Sequence, residues 1–259
     1  MIINDNLSFV IPVYLKTISD KIVLSKTMEK ILTIASDIIV ISQGIKPHFN
    51  NKKIKHYHSS SSLGKWNAVS YAKNFKVNDF IFIHDGDNPF KEESYKNILK
   101  FQKNTFIQRD QIILYAHDEL SRESRKYMEL FLNKYSAETQ GKCIDIQSGG
   151  VILERDIFQE LNFSSFGDYG GELAIYNHLE AHNIPIDFID MEVEVGKSRQ
   201  QSNYAIGDIL QSVIHTPLSM VRVLVLLKIC MDDYDRYIAS NQKFKNEVLY
   251  FLRKYNLVY

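Results

Sequence analysis

Short apolar runs recur through the first third of the chain, with helical spacing filling the gaps between them. Residues 7–14 (LSFVIPVY), 37–42 (DIIVIS), 54–58 (IKHYH) and 79–84 (DFIFIH) are rich in β-branched and aromatic side chains, which predicts strands. Between them, 19–35 and 65–74 place apolar residues three and four positions apart, which predicts helices. Strands separated by helices imply an α/β fold with a parallel, doubly wound sheet. In such sheets ligands collect at the carboxyl ends of the strands.

After His117 the rhythm changes. Residues 118–135 read as a charged amphipathic helix, and 143–153 (CIDIQSGGVIL) as a strand carrying a glycine pair, where a bulge or a ligand contact is expected. A helix begun by Glu154 and Arg155 follows, then helical spacing over 170–183, a strand-like stretch over 184–195, and a mostly helical tail from Tyr204. No internal repeat or low-complexity tract interrupts this order.

Composition narrows the class. A chain of 259 residues that is 45% hydrophobic and 24% charged, with five prolines and eleven glycines, is a folded protein with a sizeable core. We divide it at 203/204, with a domain over 1–203 and a helical extension over 204–259 packed on it. Equal numbers of basic and acidic residues, 31 each, give no overall field to recruit nucleic acid, so no nucleic-acid partner is expected. Cys143 and Cys230 lie far apart in apolar surroundings, which disfavours a disulfide framework or a zinc knuckle. The N-terminus lacks the pattern of a secretion signal. The apolar stretch MVRVLVLLKIC is interrupted by Arg222 and Lys228 and falls short of the ~20 residues of a spanning helix. The expectation is a cytoplasmic protein, with a peripheral membrane contact and a homodimer contact through the tail both open.

Three motifs carry candidate chemistry. In HDGDNPF, Gly86 lets the chain turn sharply after a strand, so that Asp85 and Asp87 can face one cavity. They are either acidic turn residues or ligands for a hard cation, Mg²⁺ or Mn²⁺, which is commonly held by one or two carboxylates plus substrate phosphates. SSSSLGKWNA offers Gly64 and Lys65 at a helix start, suited to a diphosphate, although the P-loop pattern is absent. GDYGGE brings Asp168 and Glu172 near glycines that permit close approach of a ligand.

Taken in order, FVIPVY, LGKWNA, DGD, SGGVILERDIF and GDYGGELAIY resemble the motifs of glycosyltransferases of the GT-A fold, over roughly residues 7 to 215. The nearest likeness is to the glucosyl-3-phosphoglycerate and mannosylglycerate synthases, with their PGKGEAL-like helix start, DSD-type motif, SGE-type strand and GYGVE loop. The resemblance implies a mostly parallel central sheet flanked by helices and transfer of a hexose from a nucleoside-diphosphate sugar (UDP or GDP) to a hydroxyl acceptor. Asp87 would bind the divalent cation, with Asp85 beside it on the sugar nucleotide, and Lys65 would meet the donor's phosphate. Pro12, Tyr14, Ser42, Gly64 and Gly86 fall on the donor side. Glu172, with Asp168, would lie near the transferred sugar, and Ser148, Gly149 and Gly150 would line the acceptor side.

Two departures stand out. The acid that this family places at the end of its second strand is replaced here by Ser42 and Gln43, and its histidine metal ligand by Ser198 within VEVGKSRQQ. Lys197 or Arg199 could neutralise the diphosphate directly, and His215 is a distant candidate ligand. The likeness implies retention of anomeric configuration, whereas a general inverting enzyme for surface polysaccharide would use Asp168 or Glu172 as base. A nucleotidyltransferase is disfavoured because IPVYLKT has no glycine, and a catalytically degenerate nucleotide-binding or scaffold protein on the same fold is the remaining alternative.

Overall fold

The computed structural model describes residues 4–87, 90–109, 148–166 and 171–192. Seven strands join in one sheet: β1 (Asn4–Leu15), β2 (Ala35–Gly44), β3 (Ile54–Ser59), β4 (Phe80–His84), β5 (Thr105–Arg109), β6 (Gly150–Glu154) and β7 (Asp187–Met191). Their order is β3-β2-β1-β4-β6-β5-β7. The helices are α1 (Ile18–Leu32), α2 (Lys65–Tyr71), α3 (Tyr95–Ile98), α4 (Arg155–Glu160) and α5 (Gly171–Ala181).

Alternation along the strands builds two cores. On one face Val10, Ile39, Ile41, Ile81, Ile83, Val151 and Leu153 pack beneath Trp66 and Val69 of α2, Phe158 of α4 and Ile175 of α5. On the other, Phe9, Ile11, Ile38, Val40, Phe82 and Ile152 meet Leu24, Met28 and Ile31 of α1 and Tyr95 and Ile98 of α3. Neighbouring residues of a strand point to opposite faces, so the continuous apolar runs inside β1, β2 and β4 are covered on both. The sheet is therefore doubly wound, as the sequence pattern predicts.

Parallel pairing links β3, β2, β1 and β4, and also β5 with β7. The sheet is thus mostly parallel, as the resemblance implies, and the exception is β6, which runs antiparallel to both β4 and β5. Strand composition does not record direction; the connection does. Residues 105–109, not anticipated as a strand, form β5. The strand read over 143–153 is confined among the described residues to Gly150–Glu154, so the glycine pair stands at its start, and no bulge lies inside it. The helix read over 65–74 is α2 followed by a 3₁₀ turn, Ala72–Asn74.

The chain moves outward from β1 through β2 to β3 and then returns to the far side of β1 as β4. That reversal makes the carboxyl ends of β1 and β4 a topological switch point, where a crevice forms. Pairing of β1 with β4 ends at Val10–Ile83, two residues before Pro12. Proline has no N–H to donate, so its place just beyond the ladder fits strands that part toward the crevice. No helix among the described residues is long and apolar enough to cross a membrane. The expected helix over 118–135, the 203/204 boundary and the tail with its dimer and membrane contacts lie outside the described residues.

Candidate active site

The acidic turn leaves β4 directly into the crevice. The Asp85 N–H donates to the Gly149 carbonyl at 3.1 Å, tying the turn to the residue before β6. Gly149 has φ +83°, a conformation that suits glycine. Gly86 is buried, and a Cβ there would lie 2.9 Å from Val13 Cγ2, so only glycine lets the turn press against β1. Asp85 and Asp87 are both partly exposed. They stand on either side of that glycine.

Lys65 reaches the turn from the start of α2. Gly64, at φ +77° and ψ +161°, precedes the helix in a conformation that side chains resist. The Leu63 N–H donates to Gln43 Oε1, so the end of β2 holds the loop in place. From there Lys65 Nζ pairs with Asp85 Oδ1 at 2.7 Å and with Glu172 Oε1. Burial alone would lower the ammonium's pKa; the charges of Asp85 and then Glu172 outweigh it and hold Lys65 above its ordinary range. Glu172 is driven up by burial and by Asp85, against the opposing pull of Lys65. One ammonium faces two carboxylates.

Glu172 lies in the first turn of α5, and a tight contact fixes that helix beside α2. A Cβ built on Gly171 would fall 1.9 Å from the Trp66 indole. Trp66 is buried, stacks on Phe163 at 6.0 Å and carries the Lys65 ammonium 5.0 Å from its ring centre. Gly171→Ala should therefore push α5 from the indole and cost about 1–3 kcal/mol of stability by overpacking. Because Trp66 is the single tryptophan of the chain, its fluorescence reports the change: a shifted emission and a lower melting temperature are expected.

On the expected donor side, Pro12 and Ser42 are buried, while Tyr14 is exposed at the end of β1 with Lys16 Nζ 5.2 Å from its ring centre. Ser42 Oγ hydrogen-bonds His56 Nε2 at 2.7 Å and His58 Nδ1 at 3.0 Å. Burial first, then the nearby His58, Lys46 and His48, lower the pKa of His56. This imidazole pair was not anticipated from the sequence. Its signal was present in IKHYHS, since residues two apart on a strand share a face.

On the expected acceptor side, the Gly150 N–H donates to Ser148 Oγ at 3.3 Å, and a Cβ on Gly150 would lie 2.9 Å from Ile107 Cγ1. Close packing by β5 thus accounts for Gly150. Asp168, Lys197 and Arg199, with Ser198 and His215, lie outside the described residues.

No group of three or more metal-ligating side chains occurs among the described residues. The donor set nevertheless fits a hard divalent cation, because the two carboxylates flanking Gly86 supply oxygen ligands and a diphosphate would complete the shell.

No protein-family model and no curated protein matches the chain. Solved structures do. Glucosyl-3-phosphoglycerate synthase from Mycobacterium tuberculosis, crystallised with Mn²⁺, UDP-glucose and phosphoglyceric acid, matches with a TM-score of 0.57 and 13% identity, over 83% of this chain and 81% of that one. The same synthase with Mn²⁺, UDP and phosphoglyceric acid gives a TM-score of 0.56 at 14% identity, over 83% and 80%. A further crystal structure of the M. tuberculosis synthase gives a TM-score of 0.55 at 14% identity, over 83% and 82%. The chain has the GT-A fold.

Proposed function

We propose that this protein is a divalent-cation-dependent glycosyltransferase that moves a hexose from a nucleoside-diphosphate sugar, a UDP-sugar or a GDP-sugar, to a hydroxyl acceptor and releases the nucleoside diphosphate. The observation that carries the reading is the clamp of Lys65 between Asp85 and Glu172 at the crevice of a GT-A fold. A surface turn needs no such partner. The solved synthases, which bind UDP-glucose and Mn²⁺, support the same substrate class.

Breaking the bond between the sugar and the diphosphate leaves growing negative charge on the leaving phosphate oxygens. A cation held by Asp87, with Asp85 beside it, would supply Lewis-acid stabilisation of that charge. Lys65 adds a fixed ammonium on the same side, and its two carboxylate partners aim it before substrate arrives. The exposed Tyr14, backed by the buried Pro12 and Ser42, would lie on the nucleoside side, and Ser148, Gly149 and Gly150 on the acceptor side. By the resemblance to the synthases, Asp168 would act with Glu172 at the transferred sugar, and Lys197 and Arg199 would serve the acceptor or the diphosphate.

An inverting route would use Asp168 or Glu172 as general base; of the two, Glu172 is paired with Lys65, which supports the retaining route that the resemblance implies. The anomeric configuration of the product, read by NMR, distinguishes the two routes.

A thermal-shift screen tests the reading. UDP, GDP, CDP, dTDP and ADP are each offered with Mn²⁺, Mg²⁺ or EDTA. Ligand at a hundred times its dissociation constant adds about 2.7 kcal/mol of stability. Metal-dependent stabilisation by UDP or GDP, abolished by EDTA, is the expected result. No stabilisation by any diphosphate would favour a degenerate scaffold.

A further inference from the structure

His84 ends β4 beneath the acidic turn, fully buried among Phe9, Phe82 and Phe90, whose ring centres lie 6.4, 5.1 and 6.1 Å from its own. An apolar residue would fill that space without a polar atom to satisfy. Instead both ring nitrogens are engaged: Nδ1 lies 2.7 Å from the Asp85 carbonyl and Nε2 2.8 Å from the Tyr95 hydroxyl. A carbonyl can only accept, so Nδ1 carries the proton, and Nε2 accepts from the hydroxyl of Tyr95.

We propose that His84 and Tyr95 are a buried positioning pair that holds the acidic turn in its binding geometry, by fixing the Asp85 carbonyl from below. The role in binding rests on the glycosyltransferase reading; the role in holding the turn does not. Tyr95 opens α3 and stacks on His84 at 5.6 Å, so the hydroxyl is placed by a helix that lies outside the turn itself. The bond to the Asp85 carbonyl sets the rotation of the planar peptide that follows, and with it the direction of the Gly86 N–H. Phe90, on the far side of the turn, rests against both rings, 6.1 Å from His84 and 6.4 Å from Tyr95. Its carbonyl accepts from Lys30 Nζ at 2.9 Å. Both ends of the turn thus stand on one polar pair in an apolar layer.

The test removes the hydroxyl and keeps the ring. In Tyr95→Phe, the Asp85 amide, which donates to Gly149, should exchange with solvent at least tenfold faster than in wild type by NMR. The dissociation constant of Mn²⁺·UDP, by calorimetry, should rise about tenfold, with the donor KM rising more than kcat falls. His84→Asn keeps a donor near the Nδ1 position and should recover most of the affinity that His84→Phe loses. Ile31→Val thins the same core away from the turn; it should lower the melting temperature and leave both the Asp85 exchange rate relative to global unfolding and the affinity unchanged. Unaltered Asp85 exchange in a folded Tyr95→Phe protein would overturn the proposal, whatever the protein binds. Faster exchange in a protein whose wild type binds neither UDP nor GDP would uphold the positioning role and overturn the glycosyltransferase reading instead. Equal loss of affinity in Ile31→Val would reduce the pair to general stability and overturn its special role.

Discussion

Asp87→Ala is expected to lower turnover by roughly two to four orders of magnitude while leaving the protein folded. Each ~1.4 kcal/mol removed from transition-state stabilisation is tenfold in rate, and a cation aligned on a departing diphosphate supplies several kcal/mol. Asp87 is partly exposed on the turn and belongs to neither core, so its loss removes charge chemistry with little packing. Release of nucleoside diphosphate, followed by chromatography, measures the rate, and a circular dichroism melt checks the fold. Asp87→Asn should lose nearly as much, because the missing quantity is charge and not volume. Wild-type turnover in either variant would remove Asp87 from the site and leave the turn as an ordinary acidic one.

Lys65→Met should act on both stability and activity. The substitution keeps much of the side chain's length and removes the ammonium, leaving the carboxylates of Asp85 and Glu172 to face each other. Removing one partner of a buried ion pair costs ~3–5 kcal/mol. Here the lower end applies, because the Asp85 side chain is 34% exposed and its charge is screened by water. The deficit should depend on pH in a defined direction. Glu172 already has its pKa raised by burial, and losing Lys65 raises it further. A group whose pKa is higher folded than unfolded contributes its stability below the unfolded value and loses it as pH rises through the folded value. Urea titrations of Lys65→Met should therefore show a smaller deficit near pH 5 than at pH 8, and the double variant Lys65→Met, Glu172→Gln should recover part of it. A deficit independent of pH and unaffected by Glu172→Gln would show that the pairing of Lys65 with Glu172 carries no energetic weight.

Much of the fold was legible because periodicity is a local property. The apolar runs at 7–14, 37–42, 54–58 and 79–84 are strands in the structure, and the spacing over 19–35 gives α1. A capping box between Thr17 and Asp20 starts that helix. β5 was missed because five residues of mixed character carry little periodic signal. Which strand of the mostly parallel sheet runs antiparallel was not legible, because direction depends on how the chain crosses between strands. Within the site, the acidic turn and Lys65 stood out as motifs, yet His84, Tyr95, His56 and His58 did not. A histidine inside an apolar run reads as a strand residue until the neighbouring strand or helix supplies its hydrogen-bond partner.

The sequence by itself determined which segments become strands and helices, which strand faces are apolar, and that two carboxylates follow β4 across a glycine. Those properties follow from side-chain spacing and from the conformations each residue allows. Only the tertiary structure decided that Lys65 meets Asp85 and Glu172, the latter 107 positions away, and that Tyr95 fixes the imidazole under the turn. Both depend on strand order and helix placement to bring distant groups together. Burial then makes their charges and hydrogen bonds matter far more than they would in water.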